Sequence, residues 1–102
     1  MLEKLNSEVF SEQLHTTFEL RIPGAKSLPL ELFEVAEKNQ SPQLEQFSLA
    51  FRGPLTPFAP QGTYTVEHEK LGELALFLVP LGPDSIGMCY QVVFNRLRQP
   101  AQ

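Results

Sequence analysis

Tryptophan is absent from this chain, cysteine and aspartate occur once each, and histidine occurs twice. The single cysteine, Cys89, cannot close an intramolecular disulfide, which excludes a disulfide-dense secreted scaffold. Basic residues are also few: eight Lys and Arg against twelve Asp and Glu leave a formal charge of −4. They are scattered, so no basic stripe is present to neutralise phosphates, and nucleic-acid binding is disfavoured. No segment approaches the ~18 consecutive apolar residues of a membrane span. The start of the chain, Met1 to Glu8, has no basic stretch followed by an apolar one. These absences imply a soluble, cytoplasmic protein without a membrane partner. Metal-ligand spacing, a nucleotide-binding loop and a nucleophile elbow are missing too, so the expectation is a chain without a cofactor and without catalysis.

What is present is strand after strand. A chain of 102 residues suits one domain, and 42% hydrophobic residues suit a chain that folds. Nine prolines and six glycines are more punctuation than a helical bundle tolerates, and eight phenylalanines suit a compact β core. Residues 6–14 read as a short helix, capped by Asn6 or Ser7, with Phe10 and Leu14 on one face. Its length requires support from packing, most simply onto one end of a barrel. Phe18, Leu20 and Ile22 then alternate with polar residues, and Pro23-Gly24 turns the chain. The alternation of Leu30 and Leu32 slips phase to Phe33 and Val35, which predicts a β-bulge near Leu32-Phe33. Residues 37–45 read as a loop. Phe47, Leu49 and Phe51 mark the next strand, followed by a proline-rich loop over 53–62. Thr63 to His68 is a strand, and Glu69 to Gly72 a hairpin connection with Gly72 able to take φ > 0. Residues 74–79 are apolar on both faces, so the second face needs a cover from this chain or from another. Pro80 to Ser85 reads as a loop. Met88, Tyr90, Val92 and Phe94 form the last inward set, and the tail from about residue 97 is expected to fray.

Four punctuated blocks recur in order: Phe51-Arg52-Gly53-Pro54, Pro60-Gln61-Gly62-Thr63-Tyr64, Phe77-Leu78-Val79-Pro80-Leu81-Gly82-Pro83, and Gly87-Met88 with Tyr90 and Val93-Phe94-Asn95. As a set they resemble a family of small bacterial proteins catalogued only as a domain of unknown function, over nearly the whole chain. The resemblance carries no activity. It implies an accessory or assembly role beside proteins resembling phage-tail collar or tail-fibre proteins.

The residues able to do chemistry favour structural roles. In a strand, Glu67 and Glu69 point away from His68, so the three cannot converge on one ion. Cys89 lacks the loop geometry of a nucleophile and reads as a small buried hydrophobe. Asp84, in Gly82-Pro83-Asp84-Ser85, reads as a turn residue bonding local backbone. Glu31, Glu34, Glu37 and Glu45 suggest a solvated acidic face. The candidate interaction residues are Leu55, Phe58, Leu81 and Ile86. They either seal the core, the commoner fate of such residues, or form an apolar patch if their loops share one barrel end.

The expectation is therefore one all-β domain, a six-stranded antiparallel barrel (or a two-layer sandwich) with a short N-terminal helix. It acts as a non-enzymatic binding, assembly or structural accessory protein through a protein partner or self-association. The alternative is a barrel binding a small apolar ligand. That alternative requires an interior wide enough to hold one, with the Tyr64 and Tyr90 hydroxyls converging on it.

Overall fold

A computed structural model describes residues 6–38 and 44–97. Its elements are α1 (Ser7–Ser11), β1 (Thr17–Leu20), β2 (Leu28–Glu37), β3 (Leu44–Gly53), β4 (Gly62–His68), β5 (Gly72–Pro83) and β6 (Met88–Leu97). The strands close into an antiparallel barrel in the order β1-β2-β3-β6-β5-β4. Two three-stranded meanders thus join along β3–β6 and β1–β4. The first joint is long, from Leu44↔Leu97 to Gly53↔Met88. The second is short, with only Glu19↔Glu67 and Leu20↔Val66 in register.

Alternation decides the inside. Phe18, Leu20, Leu30, Leu32, Phe47, Leu49, Phe51, Val66, Leu74, Leu76, Leu78, Tyr90 and Val92 are buried in one core, and Tyr64 and Phe94 pack on it partly exposed. Phe18 and Phe51 meet edge to face with centroids 5.1 Å apart, an arrangement that suits their quadrupoles. A register shift between Leu32 and Glu34 makes the bulge that the phase slip predicts.

The helix is shorter than 6–14 and is capped by Asn6, whose Oδ1 accepts from the Val9 N–H at 3.0 Å. It packs on β2. Phe10 is fully buried and reaches the rings of Phe47 and Phe94 at 6.1 and 5.5 Å, so it plugs one barrel end. No helix among the described residues is long and apolar enough to cross a membrane.

Three expectations change. β5 does not stop at Val79 but runs to Pro83, pairing Pro80↔Tyr90, Gly82↔Cys89 and Pro83↔Met88. Beyond Leu78, which faces Gly62, β5 has no β4 residue beside it, and such an edge is where strand prolines are tolerated. The register shift between Pro80 and Gly82 accommodates Leu81. Second, the predicted 37–45 loop is shorter, because Glu37 ends β2 and Leu44 and Glu45 begin β3; residues 39–43 of it, and the tail beyond Leu97, lie outside the described residues. Third, the outer face of β5 is not covered by the helix: Phe77 stays 49% exposed, beside Val93 of β6 at 60%.

Gly53 and Gly87 bring two strand ends together. A Cβ on Gly87 would collide with the Gly53 carbonyl oxygen, a backbone atom that cannot step aside. Gly87→Ala is therefore expected to lower unfolding free energy by about 1–3 kcal/mol, the usual cost of overpacking. Urea denaturation measures it, and an unchanged midpoint would show that the two ends can separate freely.

Candidate functional site

β3 and β4 follow one another in the chain but sit on opposite sides of the ring. Their connection, residues 54–61, must therefore cross the mouth of the barrel at the end away from the helix. The chain meets this demand with prolines at 54, 57 and 60, which restrict the backbone; the Thr56–Pro57 peptide bond is cis. Two side chains from the barrel pin the crossing. The buried Tyr90 hydroxyl accepts from the Ala59 N–H at 2.8 Å, and the Tyr64 hydroxyl donates to the Pro60 carbonyl at 2.6 Å. Burial raises the Tyr90 pKa, so the hydroxyl keeps its proton. Both tyrosines of the chain thus hold the crossing loop rather than converge on a cavity.

Ala59, 1% exposed, is the residue that seals this end. Its small side chain gave no signal in a hydrophobic pattern dominated by Phe58. Phe58 itself turns outward and is 51% exposed, as is Leu55. The β5–β6 turn lies at the same barrel end, because Gly53 pairs with Met88. There Ile86 is 72% exposed, and Leu81, on the β5 bulge rather than in a loop, is 59% exposed. The structure so places all four expected contact residues at or near one end, and none of them seals the core.

The turn under Ile86 is held by Asp84, as the turn reading of that residue predicts. One carboxylate oxygen accepts from the Ile86 and Gly87 N–H groups, both at 2.8 Å. The other accepts from Arg52 Nε and Nη2 at 3.0 and 2.8 Å. Arg52 in turn lies over the ring of Phe33, 4.0 Å from its centroid. The arginine bonds foremost, then the turn N–H groups, hold the Asp84 carboxyl well below the usual carboxylate range. Cys89 Sγ donates to the same Asp84 oxygen at 3.3 Å. Burial and the neighbouring carboxylate push the thiol pKa up, the opposite of what a thiolate nucleophile needs.

At the other end of the barrel β4 closes on His68. His68 is buried against Phe18. Its Nδ1 accepts from the Lys70 and Leu71 N–H groups at 3.0 and 3.2 Å, so this nitrogen is unprotonated. Nε2 lies 2.9 Å from Thr16 Oγ1, whose own proton goes to the Gln13 carbonyl, so Nε2 is the donor. His68 thereby ties the β4–β5 turn to the segment that links helix to barrel. His15 is exposed, with φ of 68°, and its Nδ1 faces Glu31 at 3.1 Å. The acidic face is less uniform than expected: Glu37 accepts from Ser7, Glu34 is exposed, and Glu45 is buried. Among the described residues no three His, Cys, Asp or Glu side chains gather to hold a metal ion.

A family model described as a domain of unknown function (DUF6916) matches residues 5–94. No curated protein and no solved structure matches the chain.

Tyr90→Phe strands the buried Ala59 N–H and is expected to cost about 1–3 kcal/mol in urea denaturation; a neutral effect would mean that Ala59 finds another acceptor. The pH dependence follows from His68. Desolvation lowers its folded pKa below 6.5, so between those values the unfolded chain binds the extra proton. Stability is then full above pH ~6.5 and falls as pH drops through the folded pKa. Melting curves from pH 8 to 5 should show this decline. They should show less of it for His68→Asn, whose carbonyl can accept from the turn without titrating.

Proposed function

The chain belongs to this family of domains of unknown function, and from that premise we propose that it is a non-enzymatic binding or assembly module acting through protein–protein contact. The observation that carries the reading is the exposure of Leu55, Phe58, Leu81 and Ile86, 51–72%, at one barrel end whose backbone is pinned by Tyr64, Tyr90 and Asp84. Apolar side chains on loops already held in place lose little conformational freedom when a partner covers them. Large apolar side chains left in water at one end of a domain are a common mark of such a surface.

The other readings have less support. A ligand barrel needs space inside, whereas the interior here is filled by Phe18, Phe51, Leu20, Leu30 and Tyr90. An enzyme needs its groups together, whereas His68 bonds Thr16 and the β4–β5 turn, His15 bonds Glu31, and Cys89 bonds Asp84. The free Cys89 suits a reducing compartment, consistent with a cytoplasmic role. An assembly role beside phage-tail-like or surface-fibre proteins rests on the family resemblance.

The test places a photo-crosslinking phenylalanine analogue at Phe58 in the full chain, expressed in the cells that make it. A discrete protein adduct, either a partner or a second copy, is expected. It should be absent when the same probe replaces Glu34 on the barrel wall, and lost when Leu55 and Ile86 become serine. Equal adducts from positions 58 and 34 would overturn the reading.

A further inference from the structure

A second feature lies on the barrel wall, where β1 and β4 close the ring. The register Glu19↔Glu67 and Leu20↔Val66 is followed by one further bond, from the Arg21 N–H to the Thr65 carbonyl at 2.9 Å. The next hydrogen-bonding position in that register, two residues on, sets Pro23 opposite Thr63. Proline has no N–H to donate, and the chain leaves the sheet there at Pro23-Gly24. In an antiparallel strand, alternate residues direct both backbone groups to the same side. Thr65 faces β1, so Thr63, two residues earlier, directs its N–H and C=O toward the same side, where no strand stands beside it. Along its other side β4 is paired with β5 throughout, from Gly62↔Leu78 to His68↔Gly72.

The gap is a groove of about 450 Å³ lined by Arg21, Ile22, Pro23, Ala25, Ser27 and Thr63–Thr65. Its floor is partly apolar, because Ile22 and Tyr64 pack on the core while remaining partly exposed. The edge itself, Thr63-Tyr64-Thr65, consists of residues that favour strands. It lacks the proline or charge that usually guards a free edge. The open edge of β5 beyond Leu78, by contrast, carries Pro80 and Pro83.

We propose that the groove between the β1–β2 connection and β4 binds a short extended peptide segment of a partner protein, which pairs with the outward backbone groups of Thr63. Main-chain bonds to Thr63 provide the attachment, and an apolar side chain directed inward contacts Ile22 and Tyr64. The groove holds a few residues and no more. With residues of the β1–β2 connection lining its other side, a space of about 450 Å³ suits one short segment better than the long edge of a second barrel. The site is separate from the crossover surface and stands or falls independently of it.

The test pans a displayed library of short linear peptides against the intact chain and measures the enriched sequences by calorimetry. Thr63→Pro removes the outward N–H without touching the bonds to β5, so the fold should persist with an unchanged melting temperature. Pro23→Val restores the missing donor and lets the chain pair with its own Thr63. Each variant is expected to weaken peptide binding by roughly tenfold or more, the scale of one or two lost backbone bonds. A Leu55→Ser, Phe58→Ser variant should bind peptide as the parent does. The proposal is overturned if no extended peptide is enriched, if the enriched peptides bind both edge variants undiminished, or if they bind through Phe58. Light scattering that shows a dimer dissociated by Thr63→Pro would also overturn it in favour of a second copy.

Discussion

One topological requirement shapes half of this molecule: strands adjacent in sequence stand on opposite sides of a closed ring. A hairpin cannot join β3 to β4, so the connection has to traverse the barrel mouth. A flexible crossing would leave the core end open to water and would lose much entropy on ordering. Prolines reduce that loss in advance, and two tyrosines from β4 and β6 hold adjacent residues of the crossing. With Ala59 taking the inward position, the bulkier Phe58 and Leu55 are left outside. The same constraint that seals the core therefore produces an ordered apolar surface.

The opposite end is closed differently. A five-residue helix packs Phe10 against the stacked rings of Phe47 and Phe94. The link from helix to barrel is secured through Thr16 to His68. Here a titratable ring acts as structure, since its unprotonated nitrogen is what the β4–β5 turn needs. At the crossover end the comparable role falls to Asp84, whose charge is held by Arg52 rather than by burial. The value of the arrangement lies in fixing the turn that presents Ile86. Charge at one end and a neutral imidazole at the other thus serve the same purpose of anchoring a connection.

Much of the fold was legible because it depends on side-chain period. The phase slip from Leu32 to Phe33 located the bulge, since each residue of a strand must choose a face. Gly72 and Asp84 announced their turns through backbone requirements that few residues meet. The extension of β5 through Pro80 and Pro83 was hidden, because proline normally argues against a strand and only the one-sided pairing beyond Leu78 permits it. The crossing was hidden as well. Strand order is a long-range property, and without it the 53–62 segment reads as an ordinary proline-rich loop. For the same reason the four exposed apolar residues could be named but not placed, and the seal by Ala59 and the pins from Tyr64 and Tyr90 had no local signature. The gap at Thr63 also required the register, which alone sets Pro23 opposite it.

The crossing is thus a pre-ordered platform. Residue-resolved amide hydrogen exchange of the intact chain tests it most directly. The Ala59 amide should exchange as slowly as core amides such as that of Leu49, because both should open only with the barrel. Exchange of Ala59 at the rate of an unstructured peptide, with Leu49 still protected, would contradict the account: the crossing would then be a loose loop, and the apolar residues it carries would not form a fixed surface.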